Sequence, residues 1–254
     1  VRRHIQAALL LLTGSAVLHI SLLSQVYLRY VKEGLRPFLI ASAVLLLALG
    51  LISAVRDGLP FAPRRPDDEP LDDGHGHGHG DGGPRVAWVL FLPVLALLLY
   101  APPALGSYTA ARETDNLIAP VSEFRPLPDA DPAPLALSGF IARVQQDRDR
   151  SLAGRTVLMT GFVTPANPRA KDGTWYLTRL VVSCCAADSQ SLRIRVYGRP
   201  APSADTWVTV TGTWHPGGGG ELGTATAAVA LDARTVERVP EPVSPYQDTP
   251  PPPP

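Results

Sequence analysis

An excess of charge of either sign is absent from this chain: 23 Lys and Arg residues are matched by 23 Asp and Glu residues, for a formal net charge of zero. Without surplus positive charge there is no counterion-release drive toward a generic polyanion, so nucleic acid is not an expected partner. Catalytic signatures are lacking too. Ser, His and Asp all occur, yet the chain has neither a Gly-x-Ser-x-Gly elbow nor a His-Glu-x-x-His pair, and the expectation is a non-enzymatic protein. The run Gly217-Gly218-Gly219-Gly220 is followed by no P-loop lysine and hydroxyl, so it reads as a hairpin loop and not as a phosphate cradle. Cysteine is down to two residues, Cys184 and Cys185. Being adjacent, they lack the two-residue spacing of a thioredoxin-type redox pair.

What the chain does have is an apolar, interrupted N-terminal third. Ile5 to Val26 is an almost uncharged run, long enough at 1.5 Å per residue to cross a bilayer core of about 30 Å. It is too long for the core of a signal peptide. Phe38 to Val55 follows, opened by Pro37 and closed by Arg56-Asp57-Gly58, and the two make a transmembrane helical hairpin over residues 1–58. Residues 86–105 form a shorter third membrane segment interrupted by Pro93, with a re-entrant course as the alternative. Arg2, Arg3, Arg56, Arg64, Arg65 and Arg85 on one side outweigh Arg29, Lys32 and Arg36 on the other. That bias places the N-terminus inside, and three crossings would then make the C-terminal domain extracytoplasmic in a multi-pass cell-membrane protein. His19 lies within the first span, where an ionisable group faces either a neighbouring helix or a pathway.

Between the second and third segments, residues 59–85 form a low-complexity loop with Asp67-Asp68-Glu69, Asp72-Asp73 and the run His75-Gly76-His77-Gly78-His79-Gly80-Asp81. Three imidazoles among carboxylates on a flexible backbone suit zinc or another transition metal; a solvated linker is the competing reading. Residues 106–137 have the Pro, Ala and Asp composition of a linker, and 240–254 that of a disordered Pro-rich tail. The ordered remainder, 138–239, begins with a helix capped by Ser138 and running to about Asp149. Phe140, Ile141 and Val144 occupy one face of it, with Arg143, Arg148 and Arg150 solvated. Five strands follow: Thr156–Thr164, Trp175–Ser183, Leu192–Tyr197, Trp207–Trp214 and Thr224–Leu231. Gly161 and Gly212 inside strand-like runs mark bends. The expected fold is therefore a membrane α-helical N-terminal region plus an all-β small barrel, OB-like, at the C-terminus. The aromatic residues Trp175, Tyr176, Trp207 and Trp214 belong to its core more readily than to a base-stacking face.

The densest chemistry lies in Ser183-Cys184-Cys185-Ala186-Ala187-Asp188. In a regular strand the two thiols would point to opposite faces, so a shared site requires a turn beginning at Ser183. Such a turn would gather Cys184, Cys185 and Asp188, with His215, the histidine run or water as the fourth ligand. Thiolates favour zinc or Cu(I), and Arg179, if close, would lower a thiol pKa. A vicinal disulfide or redox pair and plain packing of two small apolar groups are the alternatives.

With Thr160-Gly161-Phe162-Val163, Tyr176-Leu177-Thr178-Arg179, Ser183-Cys184-Cys185-Ala186-Ala187-Asp188 and Trp207-Val208-Thr209-Val210-Thr211-Gly212, residues 156–214 resemble the YcgQ family of bacterial membrane proteins. The hairpin around Tyr30 and Pro37 is more loosely similar. The resemblance implies an accessory subunit working beside a multi-spanning, YcgR-like permease in the lipid bilayer, and it implies no substrate. Other classes remain open beside it: a non-catalytic envelope assembly protein, or an extracytoplasmic thiol redox protein.

Overall fold

A computed structural model of the chain describes residues 2–56, 103–112, 118–166 and 174–252, together with Leu92, Leu95 and Tyr100. The His75, His77 and His79 loop and most of the expected third membrane segment lie outside the described residues. The chain divides into two compact units, one comprising Val1–Tyr27 and Gly34–Pro103, the other Leu28–Glu33 and Ala104–Pro254.

In the first unit, helix α1 (Arg2–Leu22) packs against α2 (Arg36–Arg56). Both are long and apolar enough to cross a membrane, over Ile5–Leu22 and Glu33–Arg56. The helices approach closely where side chains vanish: a Cβ on Gly14 would sit 2.9 Å from Leu47, and one on Gly50 2.9 Å from Leu11. Small residues at a helix interface allow the backbones this proximity. The outer surface stays apolar, with Leu12, Val44, Leu45, Leu49, Leu51, Ile52 and Val55 exposed, which suits contact with lipid tails. The first span ends earlier than the apolar run through Val26, because the Ser24 hydroxyl turns back to donate to the Ile20 carbonyl (3.0 Å). Nε of Arg36 donates to the Ser21 carbonyl (3.0 Å), satisfying another acceptor at the helix end. His19 is exposed on α1.

In the second unit a single helical turn, α3 (Ser107–Ala110), precedes β1 (Ala133–Pro134) and helix α4 (Leu137–Gln146). Strands β2 (Val157–Pro165), β3 (Trp175–Val181), β4 (Gln190–Tyr197), β5 (Trp207–Trp214) and β6 (Ala230–Arg238) complete a mixed six-stranded sheet of order β1-β2-β3-β4-β6-β5. β2 also pairs with β5, so β3, β4, β5 and β6 each have two hydrogen-bonded neighbours and β2 has three. The all-β expectation is corrected here: β1 runs parallel to β2 and β4 parallel to β6, and α4 contributes a whole face to the core.

Leu137, Phe140, Ile141 and Val144 follow i, i+3, i+4, i+7 spacing, and all four are buried against Met159, Trp175, Leu177, Ile194, Val210 and Leu231. The first four strands lie where alternation placed them. The fifth does not. Thr224 to Ala227 instead forms a turn in which the Thr224 hydroxyl donates to the Glu221 carbonyl (2.6 Å) and the Ala227 amide to that of Thr224 (2.9 Å). Threonine hydroxyls offered the backbone a local alternative to a ladder, and the last strand starts at Ala230.

Two segments expected as spacer and tail are packed. Leu127 joins the main core, and Ser107 is held by both carboxylate oxygens of Asp205, through its amide (2.6 Å) and its hydroxyl (2.9 Å). At the C-terminal end, Tyr246 is buried with Phe162, Leu180 and Val182 on the other face of β2 and β3. Asp248 accepts hydrogen bonds from the amides of Leu137 (3.0 Å) and Ser138 (2.7 Å). The cap of α4 thus comes from the far end of the chain, and Ser138 does not supply it. Arg143, expected on the solvated face, is 7% exposed; it donates to the Ser151 hydroxyl (2.8 Å) and the Arg125 carbonyl and faces Asp147 at 3.6 Å.

Candidate functional site: the vicinal cysteine turn

Strand β3 stops at Val181, and the chain crosses to β4 through Ser183, the two cysteines and one 3-10 turn, Ala186–Asp188. Asp188 closes this loop. Its carboxylate accepts from the backbone amides of Ser183 (3.0 Å), Cys184 (2.8 Å) and Cys185 (3.3 Å), and its own amide donates to the Cys185 carbonyl (3.0 Å). Three successive amides drawn toward one carboxylate end the strand's alternation. The thiols consequently converge: Sγ of Cys184 lies 3.6 Å from Sγ of Cys185, both as free thiols, with Cys184 exposed.

The loop has a second support. Val31 makes an antiparallel bridge with Cys185, the Lys32 amide donates to the Cys184 carbonyl (3.0 Å), and the Ala186 amide to the Tyr30 carbonyl (2.7 Å). Residues 30–32 therefore act as a short strand alongside the cysteine turn. No local pattern in the sequence announces them, since the pairing joins segments far apart in the chain.

Electrostatics follows from these bonds. The hydrogen bond between the Cys184 thiol and the Asp188 carboxylate, with a smaller contribution from Cys185, pushes the Cys184 thiol up to about 11. The same bond holds the Asp188 carboxyl below the usual range, helped by the backbone amides. Cys184 is thus a protonated thiol at neutral pH, a weak nucleophile that must release a proton before it can bind a metal.

Of the other sequence candidates, Arg179 is occupied elsewhere. It is 3% exposed, donates to the carbonyls of Thr160 (2.9 Å) and Gln247 (3.0 Å), and lies over the Trp207 ring at 4.8 Å. Burial lowers its pKa and the nearby charge of Asp248 raises it in part. It anchors the C-terminal segment and does not activate a thiol. His215 hydrogen-bonds Asp232 (2.8 Å) and stacks on Tyr197 at 4.2 Å, so it is not the fourth member of the cysteine turn. Among the described residues, no group of three or more His, Cys, Asp or Glu side chains is placed to hold a metal ion. Asp188 carries three backbone bonds and the thiol bond, so it serves the turn first.

The fold and site define a class: two apolar N-terminal helices that could span a membrane, joined to a mixed-sheet domain bearing an exposed vicinal thiol turn. Residues 140–247 carry a DUF1980 C-terminal domain, which fits a two-domain family of unknown function. No curated protein and no solved structure matches the chain.

Proposed function

We propose that the chain is a membrane-anchored, non-catalytic accessory subunit of a permease whose C-terminal domain offers Cys184 and Cys185 to a soft transition metal ion such as zinc. One observation carries this reading: the 3.6 Å between the sulfurs. Two thiolates each about 2.3 Å from one tetrahedral ion stand roughly 3.8 Å apart, so the turn already holds both at a chelating separation. Loss of the Cys184 proton would also free a lone pair on Asp188, leaving water or a partner side chain to complete the shell. The circuit β2-β3-β4-β6-β5-β2 supports reading the domain as an OB-like barrel with this turn at one end.

Zinc competition with a chromophoric chelator on the full-length protein tests the reading. Cys184→Ser/Cys185→Ser is expected to abolish one binding event that H75A/H77A/H79A retains; equal binding by wild type and the double serine variant removes the cysteine site from consideration. The pH dependence has a fixed sign. With Cys184 near 11, binding it as a thiolate releases one proton, so this ligand by itself makes apparent affinity rise about tenfold per pH unit across the neutral range. A flat profile between pH 6.5 and 8 is incompatible with Cys184 as a ligand.

Exposure of Cys184 makes the side of the membrane measurable. For an extracytoplasmic domain, a membrane-impermeant thiol reagent should modify Cys184 in intact cells to the extent seen after lysis. Labelling only after lysis would place the domain in the cytoplasm.

A further inference from the structure

Opposite in character to the thiol turn is a groove of about 510 Å³ where the loop after β4 lies against β6. Arg199, Arg234 and Arg238 line it, with Pro200, Pro202 and Val236. The loop reaches β6 through Gly198, whose φ of +81° makes the reversal and whose Cβ position lies 3.3 Å from the Ala233 carbonyl. Arg199 is then fixed from two sides. Its carbonyl accepts from the indole of fully buried Trp175 (3.0 Å), and its Nε donates to the Arg234 carbonyl (2.8 Å). Among the described residues, the two terminal nitrogens of its guanidinium have no hydrogen-bond acceptor. Arg234, Thr235, Val236 and Arg238 of β6 all line the groove, and the register shift opposite Gly212 leaves Arg234 as the extra residue of a bulge. None of the three arginines is in an ion pair among the described residues.

We infer that this groove binds a phosphate-type oxyanion. The forked donors of three guanidinium groups match phosphate oxygens two at a time. Gathering three such charges in one concavity without a carboxylate is repulsive until an anion of charge about −2 or more enters. The chain's zero net charge is no objection, because the excess is local to the groove. Fixing Arg199 beforehand lowers the ordering cost that exposed arginines ordinarily carry on binding. The phosphate could belong to a free phosphorylated solute or to a lipid headgroup, and the chemistry of recognition is the same. The inference stands independently of the metal reading, since it uses none of the cysteine turn.

The test uses the full chain in neutral detergent micelles at constant ionic strength. One arm titrates inorganic pyrophosphate by calorimetry; the other dopes the micelles with phosphatidylglycerol against a phosphatidylcholine control. Saturable binding of either probe, weakened at least tenfold in Arg199→Gln/Arg234→Gln and unchanged in Arg150→Gln, is the expected result. Arg150 is a fair control because it pairs with Glu221 outside the groove (2.7 Å). Pyrophosphate binding identifies a solute phosphate, and binding confined to the phosphatidylglycerol arm identifies a headgroup. Arg238→Gln, whose side chain has no protein partner among the described residues, repeats the measurement without disturbing the loop. Absence of binding in both arms, or equal binding by wild type and both groove variants, overturns the inference.

Discussion

Ending the chain at Pro240 should destabilise the C-terminal unit by on the order of 5 kcal/mol, the largest effect expected of any change outside the main core. Three losses combine. The α4 amides of Leu137 and Ser138 lose the Asp248 carboxylate, a cap worth about 1 kcal/mol. Arg179 stays buried while the Gln247 carbonyl disappears, and hydrogen bonds to charged groups contribute roughly 1.5–3 kcal/mol. Tyr246 no longer covers Phe162, Leu180 and Val182, at about 2 kcal/mol for burial of one large side chain. Against the 5–15 kcal/mol typical of whole domains, this loss is severe. Urea unfolding followed by tryptophan fluorescence measures it, with Asp248→Ala expected to reproduce about 1 kcal/mol alone. A truncated chain within 1 kcal/mol of the intact one would show that the contacts of residues 241–252 contribute little to stability.

Gly212→Ala is the second, at about 3 kcal/mol. The β5–β6 register shifts between Thr211 and Gly212, and a Cβ at 212 would stand 2.3 Å from the Asp232 carbonyl oxygen and 3.0 Å from its carbon. Both are backbone atoms of a paired strand, so no side chain can swing aside. Gly154→Ala is the comparison: its φ of +69° costs about 1 kcal/mol, with open space around the added methyl. A midpoint loss of roughly 10 °C for Gly212→Ala against about 3 °C for Gly154→Ala follows from the usual scaling. Equal losses would mean that the bulge relaxes around a side chain.

These two predictions divide the chain by what its sequence discloses. A strand-interior glycine marks the bend at 212 because local geometry alone makes the demand. The tail reads as disordered because proline-rich composition carries no signal for the single tyrosine and aspartate that pin it. Likewise the buried face of α4 is written in four apolar residues at helical spacing, whereas its cap lies over a hundred residues away, at Asp248. The final strand starts later than its expected place because threonines close a turn on themselves, and Ala230–Arg238, with one face open to solvent, carries too many polar residues to look like a strand. At the candidate site, adjacency of Cys184 and Cys185 dictates that a turn must intervene before the thiols can meet. The identity of the acceptor that makes the turn is legible as Asp188; the supporting segment at residues 30–32 is not.

By itself the sequence determined two apolar helices, four of the six strands, the helix face that fills the core, and the vicinal thiol pair, since each rests on periodicity or on neighbours within a few residues. Only the tertiary structure decided that Arg179 and Arg143 are buried, that the C-terminal segment caps α4, that the sulfurs stand 3.6 Å apart, and that three arginines share a groove. Each of those depends on which distant backbone carbonyl, amide or carboxylate the fold brings within hydrogen-bonding reach, and side-chain chemistry read along one dimension leaves that partner unspecified.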